Sequence, residues 1–162
     1  MNTTANIALK LTPERRAAFA ADAAKHKLDE SSHATRIIEK YMLGEEGLLG
    51  ADDKRDIPLE HRLIDQAADK AEDLWAKGAP ASVTYNAIEA VAADPTWIAE
   101  YEVLVRDNPY KHGNPRKQTI NQNLGYYIKK RLRAKSVTKP DGKPVNVKVN
   151  SSIIQSYTPL KP

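Results

Sequence analysis

The sequence contains no cysteine and only one phenylalanine among its 162 residues. The absence of cysteine excludes disulfides, thiolate catalysis and cysteine-based zinc sites. There is also no uninterrupted apolar run of about 18 residues, the length at which a transmembrane helix is expected. The first residues lack the basic and apolar regions of a signal peptide, so we expect a cytoplasmic protein that makes no membrane contact.

Large aliphatic residues are scarce as well. Leu, Ile, Val and Phe together make up 33 of the 162 residues. That share, about 20%, is close to the composition at which chains become disordered. The core is therefore expected to be thin, which favours association with a second chain. The length allows one ordinary domain or two small ones and excludes a large multidomain enzyme.

The short motifs of catalysis and metal binding are absent from the sequence. It has no phosphate-binding glycine loop, no nucleophile elbow and no pair of acidic residues with an obvious pocket. The four histidines lie far apart, and no two of them have the helical spacing of metal ligands. We therefore predict that the protein is not an enzyme and uses no metal and no cofactor.

The net charge of +4 is unevenly distributed along the chain. Residues 1–43 carry a net charge of +2, residues 44–100 carry −8 and residues 101–162 carry +10. A segment with so many like charges repels itself unless a polyanion or the acidic middle segment neutralises it. Nucleic acid is the polyanion that we expect. The alternative is that the basic segment maintains solubility or docks on the acidic part of its own chain.

The first 43 residues carry the signals of one strand and two helices. Apolar and polar residues alternate over residues 6–11, which predicts a strand with one apolar face. Thr12 and Pro13 start a helix that reaches about His26. Asp29 is the candidate N-cap of a second, amphipathic helix that ends at Gly44. These elements bury too little surface to fold alone, so we expect a homodimer in which the two strands pair.

The stretch I-A-L-K-L-T-P-E-R-R-A-A-F, followed by L-D-E-S-S-H-A-T-R-I-I-E-K-Y-M-L, resembles the ribbon-helix-helix family of Arc-, MetJ- and CopG-like repressors. The resemblance covers residues 5–43. It implies a dimer whose antiparallel ribbon enters the major groove of DNA. The predicted DNA contacts of this segment are the base-reading residues, the turn lysine and the phosphate-binding start of the second helix: Asn6, Ala8, Lys10, Lys27, Ser31 and Ser32.

Residues 44–56 are acidic, glycine-rich and without periodicity, which predicts a linker. Residues 57–162 are predicted to form a helical domain, so that the whole chain is mostly α. Three helices with mainly structural roles are expected first, one from Leu59 to just before Gly78, one from about Ser82 to Asp94, and one that begins at Pro95.

A basic helix is predicted over residues 115–134, after a loop rich in Asn, Pro and Gly. One of its faces is apolar, and the other combines amides, tyrosine and cations: Gln122, Asn123, Tyr126, Lys129, Lys130 and Arg133. This mixture suits a helix that lies against DNA, and it also fits the solvated face of a helix that packs on one side only. Gly125 in the helix interior indicates close approach to another backbone.

A β-hairpin is predicted over residues 136–150, with its turn at Asp141 and Gly142. The helices followed by this hairpin resemble a winged helix, in which Lys139, Lys143 and Lys148 would lie on the wing and contact DNA.

These patterns predict a homodimer that binds double-stranded DNA sequence-specifically, a nucleoid-associated transcriptional repressor whose carboxyl-terminal domain adds a second contact. Three alternatives remain open. The protein is a plasmid partition or relaxosome accessory protein, an antitoxin whose carboxyl-terminal domain binds a protein partner, or an RNA-binding module that uses Tyr126, Tyr127 and the basic face.

Overall fold

A computed structural model describes residues 8, 10–78 and 80–162 of the chain. The chain divides into two compact units, residues 1–40 and residues 41–162. The described residues are mostly helical, as predicted. The helices are α1 (Pro13–Lys25), α2 (Glu30–Gly44), α3 (Ala51–Ala76), α4 (Val83–Ala92), α5 (Pro95–Val105) and α6 (Pro115–Arg131). The strands are β1 (Lys135–Ser136), β2 (Val147–Lys148), β3 (Ser156–Tyr157) and β4 (Leu160–Lys161).

The first helix begins and ends where its sequence signals predict. The hydroxyl oxygen of Thr12 accepts a hydrogen bond from the backbone N–H of Arg15 at 3.4 Å, and Pro13 is the first helical residue. After α1, Lys27 takes a left-handed conformation with φ of +55°, and the N–H of Leu28 donates to the carbonyl of Ala23 at 3.0 Å. This is a Schellman motif, which satisfies carbonyls at the end of the helix.

The predicted strand over residues 6–11 falls largely outside the described residues, because these do not include Asn6, Ile7 and Leu9. Ala8, Lys10 and Leu11 are described and belong to no helix or strand. The first unit contains no strand among its described residues. The ribbon therefore stays a prediction about the dimer.

The predicted linker over residues 44–56 is too long at its carboxyl end. Helix α3 begins at Ala51, so residues 51–56 are helical. Asp52 and Asp53 lie in the first turn, where their negative charges complement the helix dipole. Pro58, which ordinarily marks a helix boundary, lies inside α3.

The core of the second unit is formed by α3, α4, α5 and α6 together with the closing residues 151–162. Leu63, Ile88 and Ile128 are fully buried there, and the ring of Trp97 stacks on that of Tyr101 with centroids 5.3 Å apart. The helices predicted as structural thus form the core. The closing segment joins it through Ile153 and Ile154, both of which are buried.

The hairpin predicted over residues 136–150 forms over residues 137–145 only, where the N–H of Val145 donates to the carbonyl of Val137 at 2.9 Å. At the turn, the N–H of Gly142 donates to the carbonyl of Lys139 at 2.9 Å, and Thr138 pairs with Pro144. Beyond it, β1 pairs with β4 and β2 pairs with β3, both antiparallel. The closing segment supplies both partner strands, because its own apolar residues are drawn into the core. The two-stranded wing of the expected winged helix is therefore limited to residues 137–145, and Lys148 lies outside it.

Candidate nucleic-acid interface and neighbouring cavity

The base-reading residues predicted at the amino terminus are only partly described. Asn6 lies outside the described residues, whereas Ala8 and Lys10 are both exposed. Lys27, in the turn after α1, is also exposed. Its left-handed backbone is the conformation that favours glycine, the residue usual in the family that this segment resembles.

The predicted phosphate site at the start of α2 is contradicted by the contacts of Asp29. One carboxylate oxygen of Asp29 accepts hydrogen bonds from the backbone N–H groups of Ser31 and Ser32, at 3.1 and 3.2 Å. The other accepts from the hydroxyl of Ser32 at 2.7 Å, and Ser32 is buried. The helix thus carries its own anionic cap, as the spacing of Asp29 predicted, and the cap occupies the amides that a phosphate would need.

The first unit buries very little. In its described part only Ala23, Ser32 and His33 are buried. His33 packs against the rings of Phe19 and His26, and its Nε2 atom lies 2.9 Å from a carboxylate oxygen of Asp22. This small cluster is polar, and an apolar core of the size that usually stabilises a domain is missing from the described residues of the unit.

The apolar face predicted for α2 points to solvent. The exposed fractions are 47% for Ile37, 36% for Ile38 and 62% for Tyr41. Three large apolar residues on one helix face, beside so little buried surface, are typical of a surface that a partner covers.

One predicted DNA contact on α6 is used inside the protein. The side-chain N–H of Asn123 donates to a carboxylate oxygen of Glu60 on α3 at 2.7 Å. Asn123 lies at the border between the apolar and polar faces of α6, and the packing of α6 on α3 turns it toward the acidic helix. The side-chain amide of Asn123 is thus engaged inside the protein, and its role as a DNA contact stays a prediction.

The remaining polar face of α6 is accessible. Tyr126 is 43% exposed, and the ammonium nitrogen of Lys130 lies 5.4 Å from the centre of its ring, a cation–π contact. The ammonium group of Lys129 donates to the hydroxyl of Ser136 in β1 at 2.9 Å. The predicted DNA-contacting cations that are exposed in the second unit are Lys130, Arg133, Lys139, Lys143 and Lys148.

Three arginines of the basic segment instead bind the acidic middle segment, and one of them, Arg106, contacts Asp52 and Asp56. Arg131 is almost fully buried and lies 3.4 Å from Asp65, 2.6 Å from Asp69 and 3.4 Å from Glu72, all on α3. Arg116 binds Asp56, also on α3. The docking of the basic segment on its own chain thus occurs, but through arginines that the helix pattern did not mark as DNA contacts.

Asp56 is the buried centre of a charge cluster that the sequence did not reveal. It accepts hydrogen bonds from Arg55 at 2.8 Å and from Arg106 at 2.7 Å, besides the contact with Arg116. Burial acts to raise the pKa of Asp56, but the hydrogen bonds from Arg55 and Arg106 and the positive charge of Arg116 outweigh burial and hold the pKa below its ordinary value. The carboxylate is therefore charged at neutral pH.

Two further groups have shifted pKa values, the ammonium group of Lys117 in α6 and the hydroxyl group of Tyr101 in α5. Burial lowers the pKa of Lys117, and the charge of Asp107 opposes that change. The ammonium group of Lys117 donates to the carbonyl of Lys111 at 3.0 Å. Burial also raises the pKa of the Tyr101 hydroxyl, which donates to the side-chain carbonyl of Asn121 at 2.6 Å. Both groups fix the position of α6 and its preceding loop.

A cavity of about 620 Å³ lies between α6, α4 and the closing segment of the second unit. Helix α6 lines it with residues at helical spacing: Gln118, Asn121, Gln122, Gly125, Tyr126 and Lys129. A Cβ atom built on Gly125 meets nothing within 4 Å, so the predicted close approach to another backbone is wrong. Three of these residues, Gln122, Tyr126 and Lys129, also belong to the polar stripe assigned to DNA.

Comparisons of the chain with protein-family models, with curated proteins and with solved structures find no match. Within the described residues no helix has both the length and the apolar character needed to cross a membrane. The same residues contain no group of three or more His, Asp or Glu side chains placed to hold a metal ion.

Proposed function

We propose that this protein is a homodimer that binds double-stranded DNA sequence-specifically through its paired amino-terminal segments and acts as a transcriptional repressor. The observation that carries the proposal is the exposed apolar face of α2, formed by Ile37, Ile38 and Tyr41. A second copy of the chain would cover this face and would also supply the strand partner that residues 6–11 need.

The side chains of the amino-terminal segment have suitable chemistry for reading bases. Lys10 can donate to the O6 and N7 atoms of guanine, and Asn6 can both donate to and accept from adenine. Ala8 is small enough to pack against a thymine methyl group. The exposed lysines and Arg133 of the second unit add a sequence-independent attraction to phosphates. Two binding regions in one chain raise the effective concentration of the second once the first is bound.

The dimer is tested by placing a charge on the apolar face of α2. We expect Ile37→Asp to shift the protein from dimer to monomer in sedimentation velocity and to abolish specific DNA binding. The control is Thr35→Asp, which adds the same charge at an exposed polar position of the same helix. A dimer that survives Ile37→Asp would overturn the assignment of this face.

DNA binding is tested by selecting sites from a random duplex library and then measuring anisotropy with the selected duplex. If the complex makes roughly 6 to 10 phosphate contacts, affinity should fall by about 10³ to 10⁵ between roughly 50 and 200 mM salt. A flat salt response would contradict the proposal. A selection that enriches no sequence would instead favour a DNA-organising partition or relaxosome protein.

Variants separate base reading from phosphate binding. Lys10→Ala should reduce the difference in affinity between selected and random duplexes, whereas Lys130→Ala combined with Arg133→Ala should weaken both equally and lower the salt slope by about 2. Lys77→Ala, an exposed lysine outside the basic segment, is the control. Equal losses on both duplexes from Lys10→Ala would remove Lys10 from the groove, and preference for single-stranded RNA over the duplex would overturn the proposal.

A further inference from the structure

The cavity beside α6 has the size of a ligand site, and Tyr126 and Lys129 in its lining are also predicted DNA contacts. Its volume of about 620 Å³ falls within the range of roughly 300 to 1,000 Å³ that is usual for small-molecule sites. All of its described lining residues belong to the second unit. None of these residues therefore belongs to the predicted amino-terminal ribbon.

The lining combines apolar and polar groups and carries positive charge without any described carboxylate. Lys117 and Lys129 both line it, whereas none of its described lining residues is Asp or Glu. The described lining thus offers an anion two cations and no carboxylate, although the charge of Asp107 acts on Lys117. The chain has 21 acidic residues, yet none of them is among the described lining residues, so the lining favours anions over cations.

Part of the wall is rigid and part offers unused hydrogen-bonding groups. Asn121 is fixed, because its side-chain carbonyl accepts from Tyr101 at 2.6 Å and its N–H donates to the carbonyl of Ile153 at 3.0 Å. Gln118 and Gln122 lie one helical turn apart on the same wall and are exposed. Within the described residues neither makes a side-chain hydrogen bond to the protein, so both amides remain available to a ligand.

The aromatic ring of Tyr126 and the cation Lys129 lie further along the same face of α6. Tyr126 presents an exposed ring one turn beyond Gln122, and Lys129 lies a further turn on. The ammonium group of Lys129 has three donors, of which one binds the hydroxyl of Ser136. At 1.5 Å per residue, Gln122 and Lys129 are separated by roughly 10 Å along the helix axis. Lys129 and the two glutamine amides thus lie at distinct ends of the site, whereas Lys117, which is adjacent to Gln118, lies at the amide end.

We propose that this cavity binds a nucleotide, with the base against Tyr126 and the two glutamine amides and the phosphate at Lys129. Glutamine amides match the paired donor and acceptor on base edges, and an aromatic side chain provides a stacking surface for any base. Lysine is a common ligand of phosphate. A simple inorganic anion would use only the cationic end of this arrangement.

The same chemistry has two sources, a free nucleotide or the terminal nucleotide of a nucleic acid strand. The probes are therefore the four nucleoside 5′-monophosphates and a 5′-phosphorylated single-stranded oligonucleotide, with adenosine and inorganic phosphate as partial ligands. Binding is measured by calorimetry on the full chain in the absence of duplex DNA. Failure of the DNA-binding proposal would not change this measurement.

The blocking variant is Gly125→Leu, whose side chain would fill the cavity from a position where a Cβ atom meets nothing within 4 Å. The control is Thr119→Leu, which places the same side chain at an exposed position of α6 outside the cavity. We expect at least one monophosphate, or the oligonucleotide, to bind to the wild type and to Thr119→Leu, and to lose at least about 10-fold in affinity in Gly125→Leu.

The charge at the phosphate end is tested by Lys129→Gln. Loss of a charge-assisted hydrogen bond should weaken the phosphorylated probe by roughly 10- to 100-fold and leave adenosine unaffected. Circular dichroism verifies that both variants keep the wild-type fold. The proposal is overturned if no phosphorylated probe binds, if inorganic phosphate binds as tightly as the nucleotides, or if Gly125→Leu binds them as well as the wild type.

Discussion

Replacing Asp56 by asparagine removes the negative charge at the centre of three arginines while keeping the shape of the side chain. The carboxylate is 8% exposed and accepts hydrogen bonds from Arg55 at 2.8 Å and from Arg106 at 2.7 Å, with Arg116 as the third partner. Asparagine can accept with its carbonyl, but its N–H group faces a guanidinium donor. We therefore expect Asp56→Asn to destabilise the second unit.

The size of the effect follows from the exposure of the partners. Removing one member of a fully buried ion pair costs about 3–5 kcal/mol, because the other charge stays buried without compensation. Here the arginine side chains are 38% to 49% exposed, so water can solvate the guanidinium groups that lose their partner. We expect the free energy of unfolding to fall by about 2–3 kcal/mol.

Asp52→Asn is the matched control for this measurement. Asp52 contacts two of the same arginines, Arg55 at 3.4 Å and Arg106 at 2.9 Å, but its side chain is 63% exposed. An exposed ion pair contributes about 0–1 kcal/mol, so the control should lose less than about 1 kcal/mol.

The pH dependence of the Asp56 effect has a defined sign. The pKa of Asp56 in the folded chain lies below its ordinary value of 3.8. As the pH falls, the unfolded chain therefore binds this proton before the folded chain does. The stabilisation by Asp56 is complete above the unfolded pKa and is lost as the pH falls through the folded pKa. The difference between wild type and Asp56→Asn should be constant near neutral pH and should shrink in strong acid.

Urea unfolding followed by tryptophan fluorescence measures this difference. Both tryptophans of the chain, Trp75 and Trp97, lie in the second unit, so the signal reports on that unit. The midpoint should fall while the slope with urea stays the same. A loss for Asp56→Asn no larger than that for Asp52→Asn would refute the view that the buried cluster stabilises the fold.

Three further substitutions test other parts of the structure. Gly125→Ala should raise the free energy of unfolding by about 0.5–1 kcal/mol in urea titrations, because it removes a helix-interior glycine where a Cβ meets no atom. Arg131→Gln should lower it by about 1–3 kcal/mol, whereas the exposed Arg133→Gln should change it little. Lys27→Gly should slow amide hydrogen exchange in α1 by relieving a left-handed lysine, a gain of up to about 1 kcal/mol. Faster exchange would contradict it.

The helices were predictable because their start signals are local. Thr12, Asp94 and Asn114 each precede a proline, and each side chain accepts a hydrogen bond from a backbone N–H in the first turn of its helix. A cap and a proline act within four residues of sequence, so the pattern contains the whole interaction. Asp29 was predicted as a cap from the same kind of local signal. Its carboxylate accepts hydrogen bonds from the N–H groups of Ser31 and Ser32, the two residues to which phosphate binding was assigned.

Contacts between distant residues were not predictable in the same way. Alternation over residues 145–150 marks a strand, but a period of two does not specify which segment pairs with it, and β2 pairs with β3. Two arginines of the Asp56 cluster, Arg106 and Arg116, are separated from Asp56 by 50 and 60 positions in the sequence. The cavity likewise combines α6 with the closing segment. Each depends on tertiary packing that no local pattern encodes.

The charge distribution gives a further prediction, because the structure divides the basic segment into two sets. Arg131 is bound by three carboxylates of α3 and is almost fully buried, whereas Lys130 and Arg133 are exposed. Each phosphate contact contributes about 0.9 to the slope of log affinity against log salt. Under conditions in which all variants are folded, Arg131→Gln should therefore leave this slope unchanged. If Arg131→Gln lowers the slope as much as Arg133→Gln does, Arg131 must leave α3 when DNA binds.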